Sequence, residues 1–452
     1  MHPEPSSNRS WLAPLALLAV AAITTTLSAV GGPAPQPSVG GPIDGGDTAW
    51  MLTAAGLVLL MTPGLAFFYG GMVRPKNVIS TMLQSFISLG LVSVLWVVVG
   101  FSLAFGDSLG GVIGDPRTFA LFRGVGVETH SALAPTIPFV LFALFQLKFA
   151  IITPALVVGS FAERVRFSSF LLFNALFTVC IYAPLAHWTW HPDGFLRQWG
   201  VLDFAGGTVV HLSAGLAALA GALVLGPRRD HRSGKAHSPA NVPFVILGTG
   251  MLWFGWFGFN AGSAVAVEHP AGATAGLAFT TTQSAAAAAG LMWMLMERWH
   301  HGKVTSLGLA SGFVAGLVVV TPAAGHVRPV SAMVMGAMAS VVCYWAVQLK
   351  TRLGYDDSLD AFGVHGVGGI LGALLTSVFC FTPVAGVLQG DFAQLWKQAL
   401  GVAVAVVFAG GMTFAIAFVL NKLLGLRATD QEERDGQDLH VHGERGYHFD
   451  QT

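Results

Sequence analysis

Eleven runs of about 20 apolar residues follow one another along this chain, and that succession leaves few folds open. They lie near 47–70, 79–105, 133–159, 167–186, 204–225, 242–262, 273–297, 304–320, 329–349, 361–382 and 393–424. At 1.5 Å per helical residue, such a run matches the ~30 Å hydrocarbon core of a bilayer. Backbone amides in hydrocarbon must pair within their own segment, which selects helices. The expected architecture is an all-α integral membrane protein with eleven transmembrane helices. Composition agrees: 54% of the 452 residues are hydrophobic and 10% are charged, against roughly 25% charged in a soluble domain. The 56 glycines suit helices that approach closely in a bilayer.

Lys and Arg balance Asp and Glu at 23 each, so no strong field points to nucleic acid. Cys180, Cys343 and Cys380 sit in apolar runs without CxxC spacing and read as buried free thiols. Arg9 followed by "WLAPLALLAVAAI" gives residues 1–31 the pattern of a signal peptide; an uncleaved extra membrane helix is the alternative. Residues 32–46 then form a flexible exported segment, 47–424 the helical domain and 425–452 a polar tail.

Orientation follows from basic residues in short loops. With the mature N-terminus outside, the cytoplasmic loops hold Arg74, Lys76, Arg164, Arg166, Arg228, Arg229, Arg232, Lys235, Arg298, Lys303, Lys350 and Arg352. The outer loops then hold only Arg117, Arg123, Arg197 and Arg328. The expected location is the cell (inner) membrane, multi-pass, with the C-terminus in the cytoplasm.

The fifth and tenth runs share a pattern. Asp203 precedes His211 by eight residues, and Asp357 precedes His365 by eight. Five helices apart, the two copies run in opposite directions, as in an inverted five-helix repeat with a functional site near the midplane. Eight helical residues span about 12 Å, which places both imidazoles near mid-membrane. One such histidine is as readily a packing residue as a functional one; two at matching depth favour function. A two-histidine metal site would need a third ligand at that depth, and none is evident.

Several stretches together resemble the ammonium transporter (Amt/MEP/Rh) family: "DFAGGTVVHLSAGLAALAGALVLGPR", "PGLAFFYGGMVRPKN", "FQLKFA" with "GSFAERVRF", "GWFGFNAGS", "DAFGVHGVGG" and "DGQDLHVHGERGY". The resemblance covers residues 45 to 448 and implies the eleven-helix ammonium transporter fold, a homotrimer and one conduction path per subunit. Trp190 in "AHWTW" and Ser263 in "FNAGS" resemble the Amt branch rather than the Rh branch, in a bacterial-type protein. By the same matching, Phe149 and Phe259 resemble the stacked pair that closes the outer pore, and Phe145 and Gln146 belong to the same motif.

Ammonium has four N–H donors and no acceptor, so its site needs π faces and oxygen acceptors. Trp190 and Phe149 supply faces worth about 2 kcal/mol or more when desolvated, and Ser263 a hydroxyl. Trp190 alone could equally be an interfacial anchor; Trp188 and Trp199 fit that role better. Asp203 stands at the start of helix five, where it can cap the helix; the family gives it a structural and electrostatic role at the site. Further in, the resemblance implies a path past Phe149, Phe259, Ile152 and Leu156 to the His211–His365 pair. A bare cation is strongly disfavoured there and ammonia is not. The implied activity is ammonium (and methylammonium) recruitment, deprotonation at the gate and conduction of ammonia past the twin histidines with net proton transfer. Paired imidazoles can share a proton.

No enzyme, cofactor or metal is expected: "GGTVV" and "GVGG" lack the Lys-Ser/Thr of a phosphate loop, and no Ser-His-Asp set is legible. The rivals are an Rh-like neutral ammonia or carbon dioxide channel and a membrane sensor of ammonium. For the charged tail, the family resemblance implies docking on cytoplasmic loops, coupling of subunits and a PII-type partner. One residue departs from the pattern. Lys148 directly precedes the gate residue Phe149, where an uncharged residue is expected. Adjacent helical residues point about 100° apart, so Lys148 is expected to face lipid or a neighbouring subunit and snorkel outward; the alternative is a charge close enough to the outer site to oppose ammonium binding.

Overall fold

A computed structural model of the chain describes residues 38–232, 238–267 and 271–447. The expected signal peptide, residues 1–31, lies outside them.

Proline, glycine and short polar turns cut the apolar sequence into eleven helical rods. They are α1 (Gly45–Met72), α2 (Pro75–Phe105), α3 (Phe139–Phe161), α4 (Phe167–Gln198), α5 (Gly207–Leu225), α6 (Val242–Gly262), α7 (Ala271–His301), α8 (Ser306–Val320), α9 (Pro329–Leu353), α10 (Phe362–Phe379) and α11 (Ala393–Leu423). Among the described residues, nine of these are long and apolar enough to cross a membrane; α8 is a shorter apolar helix. The protein is an all-helical membrane protein. A two-stranded hairpin, Ser108–Leu109 with Ile113–Gly114, lies in the long α2–α3 connection.

The inverted repeat is visible in the packing. The contacts of α1 with α3 and of α3 with α5 recur as α6 with α8 and α8 with α10. Between the halves, α1 lies along α6 and α5 crosses α10. Glycine permits that second crossing: a Cβ on Gly215 would stand 2.1 Å from the Gly366 backbone nitrogen.

Several boundaries differ from the sequence reading. The third run was expected from 133, but α3 begins at Phe139. Pro135 and Pro138 cannot donate the bonds a helix needs, and 130–134 closes instead through a His130–Ala134 bridge. Helices five and ten also begin later than Asp203 and Asp357. His211 is the fifth residue of α5 and His365 the fourth of α10. Their depth is therefore not set by eight residues of helix; irregular chain carries each aspartate to its helix start.

Residues 38–44 run along the α2–α3 connection, with Gly41 N–H donating to Pro135 O at 2.9 Å and Asp44 N–H to Thr136 O at 2.8 Å. At the opposite end, residues 426–438 bind the α1–α2 and α3–α4 turns. Ala428 N–H donates to Arg164 O at 2.8 Å, and Arg166 N–H to Leu426 O at 2.9 Å. The Asp438 carboxylate accepts from Ile79 N–H at 3.0 Å and Ser80 N–H at 2.8 Å, so the tail caps the start of α2.

Candidate functional site

The two helix starts are built alike. The Asp203 carboxylate accepts from the backbone N–H groups of Gly206, Gly207, Thr208 and Val209 at 2.7–3.2 Å. Asp357 accepts from Ala361, Phe362 and Gly363 at 2.8–3.3 Å. Free N–H groups and the positive end of the helix dipole meet at these points, and a buried carboxylate satisfies both. Burial raises the Asp203 carboxyl above its ordinary range, and the four N–H donors oppose that. A wide π-helical turn follows each cap, Gly207–Leu212 and Phe362–Gly366, and holds the histidine. The imidazoles meet with Nδ1 atoms 3.3 Å apart and rings 22° from parallel.

At the Asp203 end, a cavity of about 620 Å³ opens among Phe149, Trp190, Asp203, Ser263, Gln146 and their neighbours. Trp190 is fixed by its indole N–H, which donates to Asp203 O at 3.0 Å. Asp203 thus anchors the tryptophan through its backbone while its carboxylate is spent on the helix. Ser263 Oγ donates to Phe259 O at 2.8 Å, leaving its lone pairs available as acceptors. Phe149 meets Trp190 edge to face at 5.8 Å and stacks on Phe259 at 4.1 Å.

Beyond the stacked pair the space contracts. A cavity of about 10 Å³ is lined by Ile152, Leu156, His211, Trp256, Phe259 and His365, and a second of about 10 Å³ reaches from His365 to Ser311 and Asp360. Each holds about one water-sized molecule. The first is apolar apart from the imidazoles, so a hydrated ion does not fit. All nine residues singled out from the sequence, Trp190, Phe149, Ser263, Asp203, Phe259, Ile152, Leu156, His211 and His365, lie along this one line of cavities.

A family model described as the Ammonium Transporter Family matches residues 49–447. This chain belongs to the ammonium transporter family. It is 46% identical over 445 residues to an ammonium transporter of Mycobacterium bovis, covering 91% of this chain and 92% of the relative. It is similar to the crystal structure of Saccharomyces cerevisiae Mep2, with a TM-score of 0.79, 34% identity, and 86% and 88% of the two chains covered. A solved "Sensor Amt Protein" gives a TM-score of 0.80 at 32% identity over 88% of this chain and 98% of that one. The chain is an ammonium transporter, not an enzyme.

Some wall residues of the transporter carried no role in the sequence reading. Trp256 lines the first small cavity and packs on His211 at 5.2 Å, its N–H donating to Thr321 Oγ1 at 2.9 Å. Its place three residues before Phe259, one helical turn, was the available signal. Gln146 belongs to the same stretch as Phe149; its Oε1 is buried on the cavity wall without a hydrogen-bond partner. Lys148 lines neither of these cavities. It continues the outward stripe of Val140 and Leu144, which are 37% and 38% exposed, and is itself half-buried. Among the described residues no hydrogen bond or ion pair engages it. It stands nine residues, about 14 Å, from the start of α3.

At the tail end an ion network ties the chain after α5 and before α10 to the α1–α2 and α3–α4 turns. Arg228 reaches Glu163 at 2.7 Å and Asp356 at 2.9 Å; Arg74 reaches Glu163 at 2.8 Å and Arg164 reaches Asp356 at 3.3 Å. Burial alone would raise both carboxyls; Arg228 with Arg74 or Arg164 holds them well below the usual range instead. Burial brings the Arg164 guanidinium down to about 10, against the pull of Asp356.

Proposed function

We propose that the cavity at the Asp203 end is the outer mouth and captures the ammonium cation against Trp190, Phe149 and Ser263. The ion loses its proton at the Phe149–Phe259 pair. Ammonia then crosses the two one-molecule spaces past His211 and His365, and the proton follows through the imidazoles. The observation that carries this reading is the abrupt change behind the stacked rings, from a roomy, partly polar cavity to apolar spaces too small for a hydration shell. A cation entering there loses its hydration without compensation, a cost far larger than that of desolvating neutral ammonia. The unpartnered Gln146 Oε1 supplies a further acceptor beside the gate.

The same reading places the N-terminus outside and the tail in the cytoplasm of the inner membrane. The assembly is a homotrimer, with a PII-type protein as partner at the tail face. The Rh-like alternative is disfavoured by Trp190 and Ser263 on one cavity wall. The deciding experiment adds ammonium to proteoliposomes holding the transporter. Charge movement that saturates with ammonium supports the reading; transport without charge movement supports a neutral gas channel.

A further inference from the structure

A third histidine belongs to the outer cavity. His326 sits in the turn between α8 and α9 and shares the cavity wall with Trp190, Asp203 and Ser263. The turn is held from both sides. Phe204 N–H donates to Pro322 O at 3.1 Å, and Phe381 N–H donates to His326 O at 3.0 Å. The ring meets Phe204 edge-on at 5.2 Å and lies beside the Gly325 and Thr382 carbonyls. The packing allows no larger neighbour, since a Cβ on Gly325 would stand 2.3 Å from the Phe204 ring. The imidazole is therefore fixed in place, on the wall of the compartment that receives a cation.

Two other titratable groups line that cavity, Asp203 and Arg197. The Asp203 carboxylate is turned into the start of α5, bound by four N–H groups. Arg197 donates to Trp190 O at 2.6 Å. From the segment after α10, the neighbour is Phe381, whose ring lies under Arg328 at 5.2 Å. Among the described residues no carboxylate faces His326 to offset a charge on it.

We propose that His326 sets the acid limit of ammonium capture. Neutral, it is a passive part of the wall; protonated, it puts a like charge into the compartment ammonium must enter. Burial lowers this imidazole to about 4 against the two carbonyls, so it is neutral at ordinary pH and charges only in acid. Its location off the path to His211 separates this role from proton transfer. The inference rests on the reading of this cavity as the capture site.

The test measures the ammonium concentration for half-maximal current in proteoliposomes at fixed inner pH, with outer pH stepped downward. For exclusive binding of proton or ammonium, that concentration doubles near pH 4 and rises about tenfold one unit lower. In His326→Phe and His326→Gln it should change less than about twofold over the same range, each variant read against its own value at pH 7. Two variants guard against one that fails to assemble. Equal acid sensitivity in wild type and variants would overturn the proposal and shift the effect to Asp203 or elsewhere. Trp190→Leu, run alongside, separates the failures: unchanged affinity there removes the capture reading itself.

Discussion

His211 and His365 are 154 residues apart in sequence, yet their Nδ1 atoms stand 3.3 Å apart. For these two Nδ1 atoms to hydrogen-bond while both rings are neutral, one must carry its proton and the other accept it, so a single proton sits between them. The Nε2 atom of His211 is buried without a partner, ready to accept or donate toward the small cavity on its other side. His211→Ala, His365→Ala or the double change should abolish coupled proton movement or reduce ammonium currents sharply while the protein stays assembled. A double variant with normal currents would end the relay idea.

Trp190 gives the outer cavity its π face. Trp190→Leu should weaken discrimination between ammonium and potassium by about tenfold, corresponding to loss of roughly 1–2 kcal/mol of cation–π attraction. Competition currents measure it directly. Unchanged selectivity and affinity would leave Trp190 as an anchor for the cavity rim.

Gly436 has φ +106, a conformation that favours glycine, and its Cβ position meets Lys76 at 2.7 Å. Gly436→Asp should displace the tail from the α1–α2 turn and lower transport. In a trimer, it should do so in all subunits of a mixed assembly. Deleting residues 428–452 provides the control: intact transport and assembly after deletion would show that the tail does not couple the subunits.

Lys148→Met separates two effects of the outward lysine. Its stripe with Val140 and Leu144 points away from the cavity, so apparent ammonium affinity should stay unchanged, with at most a change in assembly stability. Tighter affinity that fades with added salt would instead show a charge acting on the site.

The Glu163–Arg228–Asp356 network should make the fold acid-sensitive. Its carboxyls are lowered in the folded state, so their stabilisation is complete above the unfolded carboxylate value of about 4 and is lost as pH falls through the lowered folded values. Melting temperature in detergent should drop in that window. Glu163→Gln leaves Arg74 and Arg228 short of a counter-charge and should cost about 3–5 kcal/mol at neutral pH. A melting temperature equal to wild type at pH 7 would contradict the network's role.

The sequence by itself determined the class and much of the site. Length and apolarity of the runs left only membrane helices, because unpaired backbone amides are too costly in hydrocarbon. The repeated Asp–His spacing marked the two related helices, and the stretches matching a known family singled out Trp190, Phe149, Phe259 and Ser263. Pattern could not give the rest, because it depends on where the chain leaves the helix and on which residues meet across it. The prolines before Phe139 moved the start of α3. The irregular caps at Asp203 and Asp357 replaced helical rise as the device that sets the histidines' depth. Close packing of Gly215 on Gly366 brought the two halves within a hydrogen bond of each other. Trp256, Gln146 and His326 joined the wall through contacts between distant segments. A sequence period reports the face a residue shares along its own helix; only the tertiary structure decides what stands opposite that face, and both the Phe149–Phe259 stack and the histidine pair are made of such opposed residues.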